Sequence, residues 1–214
     1  MSWINRIAFY RNIRNEIPNQ ELAREFARSN NSLGIHEIAG YLFDKNPSVA
    51  SDCIKVIYET GYIKPELIQE YTDIFLQLLE SKNNRMVWGG MIALSTVAYL
   101  RAEQIFNKID LVLETIKKGT LITEVSGIKT IAIISTVSNT YKEKLLPALF
   151  DYLEKCRPID FASRVETTIP VISSSEEKEI LNSVIKLKSN ELSCAQIRKL
   201  NTVLNKYNKL KEKK

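Results

Sequence analysis

MIALSTV at residues 91–97 and IAIISTV at residues 131–137 spell nearly the same apolar heptamer twice, forty residues apart. Working outward, the likeness extends in both directions. With residues 46–81 laid over 84–119 at an offset of 38, Val49 falls on Val87, Ile54 on Ile92 and Val56 on Leu94. In the same alignment Leu67 falls on Ile105, Ile68 on Phe106, Ile74 on Val112 and Phe75 on Leu113. An offset of 40 then places Met91 on Ile131, Leu94 on Ile134 and Ser95–Val97 on Ser135–Val137, followed by Ile105 on Leu145, Phe106 on Leu146, Ile109 on Leu149 and Leu113 on Leu153. A weaker copy begins near Phe161, reaches Val171, and continues through Ile180, Leu181, Val184 and Ile185.

Each copy reads as two helices. The second has apolar residues at 67, 68, 71, 74, 75, 78 and 79 in one copy and at 105, 106, 109, 112, 113 and 116 in the next, the alternating 3 and 4 spacing of one helical face. The first helix is apolar on more than one side, as expected where neighbours cover both flanks. Asn46-Pro47 predicts an N-cap with Pro at the first helical position, and Pro65 predicts another helix start. Thr140-x-x-Glu143 and Ser193-x-x-Gln196 read as capping boxes. Three shorter helices are expected before the array, over about 3–16, 19–30 and 33–44.

Helix pairs at a period near 40 predict a solenoid. The pattern resembles HEAT repeats. Asp44-Lys-Asn-Pro-Ser-Val49 is similar to the Asp-to-Val opening of a HEAT first helix, and Pro170 resembles the kink such helices carry. The usual Arg after the Val is missing, with Ala50, Trp88 and Ser126 in its place. The resemblance spans roughly 44–188. It implies an all-α, right-handed superhelix of stacked antiparallel helix pairs, about ten helices in a single domain over 1–214. Capping helices would occupy 1–43, about four repeats 44–188, and a basic helix 189–214. On this reading Ser95–Val97 and Ser135–Val137 are equivalent positions, where small residues let neighbouring backbones approach.

Composition limits the function. The charged residues are unevenly spread. Residues 1–43 hold five basic and four acidic side chains, 44–185 hold sixteen and nineteen, and 186–214 hold nine and two. The last 29 residues are therefore +7 and the rest near −2. No apolar run reaches the length of a membrane span, and Arg6, Arg11 and Arg14 interrupt the N-terminus where a signal peptide would be unbroken. The expectation is a cytoplasmic protein without membrane contact. Cys53, Cys156 and Cys194 form neither a disulfide framework nor a zinc pattern.

No catalytic, metal or cofactor residues are expected. His36 is the single histidine, so ligand sets built on two histidines are out of reach, and there is no phosphate-binding glycine loop. Gly89-Gly90 within a helix predicts close helix packing beside Trp88; the alternative is an exposed Trp88 that binds ligand. On the second helices a polar stripe recurs opposite the apolar face: Glu70, Asp73 and Gln77, then Asn107, Asp110 and Glu114, then Asp151 and Glu154. The HEAT resemblance implies that second helices line the concave groove, which would make it mildly acidic and suited to a basic peptide or helix. The final segment sets Ile197, Leu200, Val203, Leu204, Tyr207 and Leu210 against Arg198, Lys199, Lys206, Lys209 and Lys211. It reads as a terminal capping helix or as a basic contact for nucleic acid.

The leading expectation is a non-catalytic protein–protein interaction scaffold or adaptor of unspecified oligomeric state. The alternative is nucleic-acid binding. Its least favoured form is an enzyme similar to HEAT-like alkylpurine DNA glycosylases, whose groove needs a basic face with aromatic residues and a carboxylate together.

Overall fold

The computed structural model describes residues 2–211, with side chains through Asn208. Among these, twelve α-helices and four short 3-10 turns are present and there are no strands. The helices are α1 (Ile17–Ser29), α2 (Ser32–Ala39), α3 (Pro47–Ile63), α4 (Thr72–Leu78), α5 (Asn84–Val97), α6 (Ala102–Phe106), α7 (Ile109–Lys118), α8 (Leu121–Ser135), α9 (Asn139–Lys155), α10 (Pro158–Thr168), α11 (Ser175–Ser189) and α12 (Cys194–Lys211). First helices are α3, α5, α8 and α10; second helices are α4, α6–α7, α9 and α11. The chain divides into two compact units, Met1–Thr130 and Ile131–Lys214.

Twelve helices stand where about ten are expected, because regular periodicity hides breaks. The expected second helix over 67–79 opens with two 3-10 turns, Pro65–Leu67 and Gln69–Tyr71, before α4. Its successor breaks between α6 and α7 at Asn107 and Lys108. The expected helix over 3–16 is a 3-10 turn, Ile4–Arg6, followed by turns with Asn12 in the left-handed region at φ 54°. This segment is held by polar ties. Asn19 Oδ1 accepts from the Ala8 N–H at 2.8 Å, and Asp52 accepts from the Phe9 N–H at 2.7 Å and from Asn19 Nδ2 at 2.9 Å. Pro170 ends α10 in a 3-10 turn, Ile169–Val171, instead of kinking a continuous helix.

The caps correct the repeat register. Asn46 and Asn83 both N-cap first helices, each accepting a backbone N–H at 3.0 Å, and they lie 37 residues apart. The stretches YIKPELI (62–68) and YLRAEQI (99–105) share that offset of 37, as do Gly90 and Gly127. Burial follows it: Ile68 and Ile105 are both fully buried, as are Phe75 and Val112, whereas at 38 Phe106 and Leu113 would have to match residues better buried than they are. Val97 is fully buried but Val137 is 43% exposed, so the two STV stretches are not equivalent; Val97 corresponds to Ile134, 37 residues on and also buried. The forty-residue likeness is a slip of about one helical turn, which preserves an apolar pattern while changing the register. Second helices do keep an offset of 40 between Ile105 and Leu145 and between Ile109 and Leu149, all buried.

The small residues act as expected in general, though at other positions. A Cβ on Gly90 would lie 2.9 Å from Leu78 Cβ and 3.0 Å from the Phe75 carbonyl oxygen. One on Gly89 would lie 2.7 Å from the Ile54 side chain, and one on Gly127 would lie 2.2 Å from that of Ile116. The glycine pair in α5 therefore sits where α3 and α4 each pack closely against it. Ser95 and Ser135 each donate to a carbonyl of their own helix, which satisfies a buried hydroxyl without a tertiary partner.

The second unit has its own core. Phe161, Val165, Leu181, Val184 and Leu200 are buried together, with Val203, Leu204 and Tyr207 packed against them. The apolar face of α12 thus lies on α10. The Ser193–Gln196 capping box forms, with the Ser193 N–H donating to Gln196 Oε1 at 2.8 Å. The Thr140–Glu143 box does not: α9 starts at Asn139 after an N-cap at Ser138, leaving both residues inside the helix. A box absent from the sequence reading, Ser174–Glu177, opens α11.

Candidate functional site

The polar stripe positions are all solvent-exposed. Glu70, Asp73, Gln77, Asn107, Asp110 and Glu114 lie in the first unit; Asp151 and Glu154 lie in the second. Several already have partners. Asp73 accepts from Gln104 Nε2 at 2.7 Å, tying α4 to α6. Glu114 pairs with Lys118 one turn on, and Asp151 with Lys155 at 2.5 Å. Burial, followed by the neighbouring Glu70 carboxylate, pushes the Tyr71 phenol up to about 12.

Where this face meets the helix ends there is a cleft of about 390 Å³. Leu79 and Glu80 border it after the end of α4, Asn84 and Val87 at the start of α5, and Leu111, Glu114, Thr115 and Lys118 along α7. Leu79 is buried, and Val87 and Leu111 are half-buried, so the floor is apolar while Glu80 and Glu114 stand exposed. Glu80 has no ion pair among the described residues. The C-terminal ends of α4 and α7 add partial negative charge; the N-terminal end of α5 and Lys118 offset part of it.

The first-helix side carries a feature that spacing did not single out. Arg85 stacks 5.4 Å over Trp88, Lys55 lies 5.0 Å from the Tyr58 ring, and Lys129 of α8 lies 5.6 Å from the ring of Tyr62 on α3. Trp88 is half-buried and tilted against Tyr58 at 6.2 Å, so it packs at the α3–α5 seam beside the glycine pair. Glu16 ties this layer to the N-terminal segment, meeting Lys55 at 2.9 Å and Arg85 at 2.7 Å. Burial opposes ionisation of Glu16, but Lys55 and Arg85 together leave its carboxyl below the usual range. The signal in the sequence was the spacing Lys55-x-x-Tyr58 and Arg85-x-x-Trp88, one helical turn apart.

On α12, Arg198, Lys199 and Lys206 are exposed, and Lys206 reaches Glu166 of α10 at 3.1 Å. The side chains of Lys209 and Lys211 lie outside the described residues.

No family model matches the chain, and no curated relative does. Solved structures do. A designed armadillo repeat protein in complex with the peptide (KR)4 is similar over 87% of this chain and 85% of its own, with TM-score 0.60 and 13% identity. An engineered protein solved by the Northeast Structural Genomics Consortium is similar over 96% of this chain and 98% of its own, with TM-score 0.56 and 13% identity. At that identity the likeness speaks for the fold alone: this is an α-solenoid of the armadillo/HEAT helical-repeat kind.

Proposed function

We propose that the chain is a non-catalytic scaffold that binds another protein along the second-helix face of its first unit. The observation that carries this is the exposure of Glu70, Asp73, Gln77, Asn107, Asp110 and Glu114 at the same offset of 37, on a segment whose buried positions include Tyr71, Phe75, Leu78, Ile105, Ile109 and Val112. Packing accounts for the buried positions; the exposed ones face solvent, with Asp73 also tying α4 to α6 through Gln104. Solenoids bind through such extended faces. The designed armadillo protein of similar fold was solved with a basic peptide, which agrees with a basic segment as the partner of this acidic face. Asp151 and Glu154 offer the same chemistry on the second unit.

Affinity capture of tagged protein from its native lysate, with and without nuclease, tests the reading. A stoichiometric protein partner that survives nuclease and is lost from the Asp73→Lys/Asp110→Lys variant is the expected result. Loss of every partner on nuclease treatment would transfer the function to nucleic acid, with Arg198, Lys199 and Lys206 as the first contacts to mutate.

A further inference from the structure

The cleft between α4, α5 and α7 combines three properties that share one complement. Its floor is aliphatic, formed by Leu79, Val87 and Leu111. Its rim holds two carboxylates, Glu80 and Glu114, near the electronegative ends of two helices. Its volume, about 390 Å³, falls in the lower part of the range of ordinary ligand sites. Two carboxylates above an apolar floor suit a cation on an aliphatic stem; a bare hard metal ion would need more oxygen donors. The molecule already places one such cation there, since the Lys118 ammonium pairs with Glu114 from the cleft wall. Glu80 has no ion pair of this kind among the described residues.

We propose that this cleft receives a lysine or arginine side chain from an extended basic segment of a partner protein. The stem lies over Leu79, Val87 and Leu111, and the charge sits between Glu80 and Glu114. Lys118 competes intramolecularly for the same carboxylate. The inference rests on the scaffold reading and names the partner's chemistry at one position.

Lys117 and Lys118 provide the test. They are adjacent, both exposed, and carry the same charge, but Lys118 lines the cleft and Lys117 does not. The probe is a fluorescein-labelled octapeptide of alternating Lys and Arg, titrated with full-length protein at low ionic strength and followed by anisotropy. Lys118→Ala is expected to tighten binding by roughly twofold to fivefold, the scale of one exposed charge pair, and Lys117→Ala to leave it unchanged. Glu80→Gln/Glu114→Gln is expected to weaken it by roughly tenfold, whereas Glu176→Gln on α11 has no effect. Equal responses to the two lysine substitutions would mean diffuse attraction and would overturn the cleft, as would an octapeptide that does not bind. A nuclease-resistant partner that stays on the Glu80→Gln/Glu114→Gln variant overturns the cleft and leaves the scaffold reading standing. Absence of any such partner overturns both.

Discussion

Glu177 gathers an ion pair and two backbone hydrogen bonds at the start of α11. It meets Lys142 at 2.7 Å with both side chains 15% exposed. Its other oxygen accepts the Ser173 N–H at 2.7 Å and the Ser174 N–H at 3.1 Å. Burial pushes the carboxyl up, but Lys142 and the two backbone N–H groups overcome it and hold the group at about 2. A carboxyl lowered in the folded state stabilises the fold above its ordinary value near 4.5, and that contribution is lost as pH falls from there toward 2. Glu177→Gln should therefore cost about 2 kcal/mol at neutral pH, measured as a shift in urea midpoint, and much less at pH near 2. An unchanged pH dependence between wild type and variant would rule out this carboxyl as a source of the acid sensitivity.

The helices owe their ends and their closeness to a few positions with separable costs. Asn46→Ala and Asn83→Ala each remove a side-chain acceptor from a helix N-terminus and should each cost about 1 kcal/mol in chemical denaturation. Gly90→Ala should cost about 1–3 kcal/mol, because the new methyl meets the Phe75 carbonyl oxygen, which is backbone and cannot turn aside. A loss smaller than that of the N-cap variants would mean that α4 and α5 separate easily. The sequence made the helical class, the pairing of helices and the Asn46 cap legible, because apolar periodicity and Asn-Pro act locally. The register was less legible. Moving a helix by three or four residues returns a similar apolar face, so MIALSTV matched IAIISTV although Val97 is buried and Val137 is exposed. The sharper markers were residues with one role each, Asn46 with Asn83 and YIKPELI with YLRAEQI. At the candidate site, exposure of the polar stripe was readable from spacing. The cleft was not, because Leu79 and Val87 meet Leu111, more than twenty residues further on, only through tertiary packing.

Across the whole molecule, stability should be local. A solenoid's repeats touch their neighbours, so free energy is close to a sum of repeat and interface contributions. The second unit's cluster of Phe161, Val165, Leu181 and Leu200 is assembled entirely from residues beyond Leu145. Gly90, Leu78 and Phe75 belong to the first unit. Gly90→Ala should accordingly raise amide exchange in α3, α4 and α5 while leaving α10, α11 and α12 nearly as protected as in wild type. Glu177→Gln should do the reverse, loosening α9 and α11 first, since Lys142 and Glu177 join those two helices. Native-state hydrogen exchange read by mass spectrometry resolves both patterns in one experiment. If either substitution raised exchange uniformly over 2–211, the chain would be unfolding as one cooperative block. A binding event on the first unit would then stabilise the second as strongly as the first. With local responses, a partner seated at Glu80 and Glu114 should protect α4, α5 and α7 and leave the exchange of α12 unchanged, so the same measurement would also locate the bound segment.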